Sequence, residues 1–170
     1  MNLRALAGIA VVALVAVAAL AFENTYWYGG LKCTAKARIV GEKTEKQVET
    51  SESVTLHTTD MAFDLGPIAG SNVNGLILKK NNTHYGAAQP TMDPALANFT
   101  AWVKAKILAQ TGVDVDLATV EMTGSFTLIQ NFSKVKVNLK IKWSGTVASG
   151  EHVGKGVSGS IGLKGSLPRV

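Results

Sequence analysis

Three histidines, one cysteine and a close pair of aspartates are the side chains here whose types could support a metal site or a nucleophile. His57, His84 and His152 lie far apart in sequence, and none has a partner at a ligand spacing such as H-x-x-x-H. Asp114-Val115-Asp116 puts two carboxylates on one face of an extended segment. Such a pair holds a cation or forms the solvated edge of a loop. Cys33 has no histidine nearby in sequence. The expectation for it is a buried or idle thiol, with pairing to a second chain as the alternative. No serine sits in a G-x-S-x-G elbow. Gly154-Lys155-Gly156 and Ser158-Gly159 are glycine-rich, but they lack the G-x-x-x-x-G-K-[ST] spacing and no helix follows to receive a phosphate. The chemistry-bearing residues therefore predict no catalytic residue, no cofactor and no metal site, and the chain reads as non-enzymatic.

One charged pattern stands out. Val135, Val137, Leu139, Ile141 and Trp143 are apolar, and Lys134, Lys136, Asn138, Lys140 and Lys142 between them are polar. That is strict period-two alternation, with one face buried and one wet. The lysines are the wet side of a strand, or a face that meets lipid headgroups or an acidic polymer. Aromatic interleaving of the kind that stacks bases is missing, which argues against nucleic acid as a partner.

Those residues must be carried somewhere, and the start of the chain indicates where. Ala5 to Phe22 is an uncharged run of Ala, Val and Leu with Gly8, Ile9 and Phe22, preceded by Arg4. A membrane-spanning helix needs about 20 residues, with about 17 as the lower limit. The apolar core of a cleaved signal is shorter, about 7–15. Phe22, Tyr26, Trp27 and Tyr28 fall where rings with wet tips favour the headgroup zone, so they are expected as membrane-interface residues. Arg4 orients the remainder of the chain away from the cytoplasm. The second reading is a signal cleaved after Ala21, at Ala19-Leu20-Ala21. Both export residues 23–170. The expected organisation is an apolar helix over 1–22, an aromatic stalk over 23–30 and an exported domain over 31–170.

About 140 residues after the stalk are enough for one domain with its own core. A single cysteine allows no internal disulfide, so burial alone must hold the fold. The net charge of +5 suits anionic headgroups or glycans, and equally a solvated surface. Asn81, Asn98 and Asn131 each begin an N-x-S/T triplet and are candidate glycosylation sites in an exported chain.

Gly29-Gly30 reads as a break before a first strand over 31–40, and 42–52 as a charged connector. Further strands are expected over 53–59, 73–79, 120–129, 134–143 and 153–163. One helix is expected from Asp93, an N-cap, and Pro94, at the first helical position. Leu96, Phe99, Val103 and Ile107 make its buried stripe, Trp102 borders it, and Gly112 stops it. The pattern predicts a mainly β fold, an antiparallel β-sandwich of about seven strands with one α-helix, preceded by the N-terminal apolar helix.

Several stretches carry a family likeness. These are Val54 to Leu65 with Gly66-Pro67-Ile68, Val73 to Leu78 through Tyr85-Gly86, Met122-Thr123-Gly124, and Lys140 to Val147. Their order resembles the late-embryogenesis-abundant type 2 domain, also called the water-stress and hypersensitive-response (WHy) domain. Thr59-Asp60-Met61 stands near the place of that family's Asn-Pro-Asn. The resemblance implies a small β-sandwich with a single helix, no catalytic residue and no cofactor. It also implies a protective or binding role at membranes or cell surfaces. Two functions follow as expectations. The first is a membrane-anchored extracytoplasmic protein with a binding or stress-protective role. The alternative is a structural subunit of a surface filament or envelope, a homo-oligomer whose apolar helices over 5–22 pack on one another.

Overall fold

Alternation of apolar and polar residues builds most of this molecule. The computed structural model describes residues 26–43, 48–57, 62–65, 68–74, 77–80, 83–84, 89–91, 97–129 and 133–170. In chain order the elements are β1 (Tyr26–Ile39), β2 (Glu49–His57), β3 (Ala62–Leu65), β4 (Ile68–Asn74), β5 (Ile77–Lys80), β6 (Thr83–His84) and β7 (Gln89–Thr91). Then follow α1 (Ala97–Thr111), β8 (Val115–Ile129), β9 (Lys134–Val147) and β10 (Gly156–Pro168). The protein is mainly β with one helix among the described residues, as the pattern predicts. Among the described residues the strands number ten rather than about seven and run in one hydrogen-bonded order, β6-β5-β8-β9-β10-β1-β2-β3-β4-β7. Every pairing is antiparallel except β5 with β8. The sheet curls until β7 lies against β8.

The four long strands β8, β9, β10 and β1 form its centre. On β9 the alternation is complete: Val135, Val137, Leu139, Ile141 and Trp143 are buried, and the residues between them, from Lys134 to Lys142, are exposed. β1 repeats it with Leu31, Cys33, Ala35, Ala37 and Ile39 facing in. Ile161, Leu163 and Leu167 do the same on β10. Each large apolar side chain so buried contributes about 1.5–3 kcal/mol.

The helix closes the inner face, packing on β1, β8 and β10. Phe99, Val103 and Ile107 are fully buried at four-residue spacing, with Trp102 partly buried beside them and stacked on Phe99. Gly112 ends the helix at a φ of +75°, and its N–H donates to the Leu108 carbonyl at 2.9 Å. The expected cap, Asp93 and Pro94, lies outside the described residues, as does Leu96.

Three expectations need correction. Trp27, placed at a membrane interface by sequence, is fully buried in the core. Gly29-Gly30 is no break: both residues pair with β2, and β1 runs unbroken from Tyr26, inside the expected stalk. Leu167 and Pro168 lie beside Gly29, 3.4 Å from where a Cβ would stand. The last strand is shifted, because 151–154 form a turn and pairing with β9 continues from Gly156 to Pro168.

Candidate functional site

The inward parity of these strands dictates what faces out. The register places Lys36, Ser160, Lys142 and Glu121 in one row across β1, β10, β9 and β8. The next row is Thr34, Gly162, Lys140 and Thr123, and the next Lys32, Lys164, Asn138 and Ser125. Lys134, Lys136 and Arg38 extend the same face at its two ends, and all of these lysines are exposed. Lys32 is paired with Glu49 at 3.0 Å. Lys36, Arg38, Lys134, Lys136, Lys140, Lys142 and Lys164 form no ion pair with a carboxylate of the described residues. Small residues on β10 let this face sink into a trough of about 520 Å³. Its rim carries Lys36, Lys140 and Lys164, and its floor includes Thr34, Thr123, Asn138, Ser160 and Gly162.

Cations at neighbouring same-face positions of one strand are about 7 Å apart. In water such a pair repels by about 0.6 kcal/mol before salt screening. Assembling seven cations without described partners therefore costs stability, and an anionic ligand would recover it. Sequence reading found the β9 row through its alternation. It missed Lys32, Lys36, Arg38 and Lys164 as members of the same face, because adjacency of β10 to both β1 and β9 is a property of the register.

A polar network lies on the inner face. The Ala35 N–H donates to Gln110 Oε1 at 2.5 Å, and Gln110 Nε2 donates to Thr50 Oγ1 at 2.8 Å. Gln110 is buried, and its amide also lies 3.6 Å from Cys33 Sγ. Thr50 donates to Glu52, which takes the Lys106 ammonium, itself 5.7 Å from the Trp102 ring. Burial pushes the Cys33 thiol pKa up, opposed by the hydrogen bond from Gln110. A buried, protonated thiol is a poor nucleophile.

The scattered candidates stay apart. His57 pairs with Tyr26 at one end of β1, whereas His152 lies in the turn beyond its other end, where Val40 N–H bonds Gly156. The intervening strand length is about 40 Å. His84 is on β6 at the sheet margin. Asp114 accepts from the Ser149 hydroxyl at 2.9 Å and Asp116 sits 3.4 Å from Lys104. Among the described residues no three His, Cys, Asp or Glu side chains are grouped to hold a metal ion. His152 instead joins a clip, with its Nδ1 3.6 Å and Lys155 Nζ 2.8 Å from Glu42. Lys155 holds the Glu42 carboxyl below its ordinary value, aided by His152.

Of the other expected site residues, Tyr28 is 52% exposed on the cationic face of β1. Tyr26 belongs to β1. Asn98 is exposed at the second residue of α1, while Asn81, Asn131 and Phe22 lie outside the described residues. Among the described residues no helix is long and apolar enough to cross a membrane, and the run over 5–22 lies outside them. No family model matches the chain, and no curated protein or solved structure is significantly similar to it.

Proposed function

We propose that this chain is a non-enzymatic, membrane-anchored extracytoplasmic binding protein. The apolar run over 5–22 anchors it, and the β-sandwich-type domain presents the outer face of β1, β8, β9 and β10 to a component of the cell surface. The observation that carries the reading is the cationic face itself: seven cations on three adjacent strands without a carboxylate partner among the described residues. The scatter of His57 and His152 to opposite ends of β1, and the burial of Cys33, support binding over catalysis. Protection of surface components under stress, as the resemblance to the WHy domain implies, is a form of the same role.

Membrane fractionation tests the anchor. The full-length chain stays with membranes through an alkaline carbonate wash and is released by detergent. A mature N-terminus at Phe22 in mass spectrometry would end that reading in favour of a secreted domain. Labelling of intact cells with a membrane-impermeant amine reagent tests the orientation, and protected lysines on β9 would contradict it. Filaments in electron micrographs of surface material would instead favour assembly through the same helix.

A further inference from the structure

We infer that the trough on the outer sheet face binds a linear acidic polysaccharide, with Lys36, Lys140 and Lys164 as its charge contacts. The inference rests on the surface-binding reading above and names its ligand class.

Three features of the trough select this occupant. The first is the spacing of the cations. Lys164 is one strand and two residues from Lys140, and Lys36 is two strands and two residues from Lys140. Those offsets put their Cα atoms about 8 and 12 Å apart. These cations are distributed along and across the strands rather than gathered at one position. They match a chain whose charges are themselves separated. The second is the floor. Thr34, Thr123, Ser160 and Asn138 supply hydroxyls and an amide, each able to donate and accept. A polymer with hydroxyl groups between its charges uses both sets of contacts. The third is what the lining lacks. It contains no aromatic ring on which a base could stack. Its one large apolar residue, Leu139, points into the core, so nothing is available to enter the acyl boundary of a bilayer. A concave, mainly polar surface also fits a flat headgroup plane poorly. The row of β9 lysines from Lys134 to Lys142 spans about 27 Å. It continues the cationic track beyond the trough, long enough for several residues of polymer.

The test uses the full-length chain in uncharged detergent and immobilised polygalacturonate, a carboxylate polysaccharide. Two triple variants are compared with the parent: Lys36→Gln, Lys140→Gln and Lys164→Gln together, and a control of equal charge, Lys43→Gln, Lys104→Gln and Lys155→Gln together. All six positions are outside the core, and thermal unfolding by circular dichroism verifies that each variant folds. The expected result is binding that weakens with salt, a loss of at least about tenfold in the trough variant, and less than about threefold in the control. Equal loss in both variants overturns the site, since net charge alone then explains binding. Absence of binding at low salt overturns the ligand class. Mixed micelles containing phosphatidylglycerol that compete better than free polygalacturonate, at equal anionic charge, overturn it in favour of lipid. A parent chain that binds no polysaccharide yet fractionates with membranes defeats this inference and leaves the anchored reading standing.

Discussion

The two faces of β9 come from alternate residues of a single stretch, yet they obey different constraints. On the inner face Ile141 and Leu139 are packed on all sides, and their size and shape are fixed by neighbours. On the outer face Lys140 and Lys142 touch solvent, and folding alone would accept many residues there. Four lysines and Asn138 on the unconstrained side are therefore the more informative choice about function, while the uniform apolar choice on the constrained side is informative about the fold.

Adjacent substitutions should break the two faces apart. Ile141→Ala is expected to destabilise by about 2–5 kcal/mol in chemical denaturation. Lys140→Ala, one residue earlier, should stay within about 0.5 kcal/mol. A comparable loss for both would show that the outer face is structural. Gly159 sharpens the contrast on β10, where it lies directly opposite Trp143. A Cβ there would overlap the Lys36 carbonyl oxygen and the Trp143 ring. Gly159→Ala should cost about 1–3 kcal/mol and change the Trp143 fluorescence; an unchanged melting temperature would mean the ring moves freely. Gln110 is the polar exception on the inner side. Gln110→Leu should also cost about 1–3 kcal/mol by leaving the Ala35 N–H buried without its partner. Faster hydrogen exchange at Ala35 is the accompanying signature, and protection equal to the parent would refute the role given to the amide.

The smallest effect concerns the clip at the far end of the sheet. Glu42 titrates below its ordinary value of 4.5 because of Lys155 and His152. A carboxyl lowered in the folded state stabilises above its unfolded pKa, and that contribution fades as pH falls through the folded value. The clip should thus hold at neutral pH and loosen only below about pH 4.5. An NMR titration of Glu42 reads this directly, and Lys155→Gln should move its midpoint upward. A midpoint indifferent to that change would mean the ion pair is not formed in solution.

How far the sequence reveals this arrangement depends on whether a local pattern is left undisturbed. β9 is legible residue by residue because nothing interrupts its alternation. The stripe of Phe99, Val103 and Ile107 and the stop at Gly112 are legible for the same reason. β8 begins at Val115, earlier than alternation suggests, because a register shift between Leu117 and Thr119 breaks the period. Asp114-Val115-Asp116, read as a site or a loop edge, leads into that strand. β1 was harder still, since Gly29-Gly30 carries a turn signal locally, whereas its pairing with Val54 and Ser53 of β2 is long-range. The cationic face was half legible. Alternation exposes the lysines of one strand, whereas their neighbours on β1 and β10 emerge only from long-range pairing.

Gln110 also bears on how such a domain survives crowding. Among the described residues, pairing of β1 with β2 ends at Thr34 and Glu49, which leaves that side of Ala35 to Ile39 without a described strand partner. Margins of this kind invite a strand from another molecule to add on, the first step toward aggregation. The Gln110 amide occupies the first open donor, and Lys36 and Arg38 bring positive charge to the outer surface of the same segment. Both features oppose the addition of a further strand along this margin.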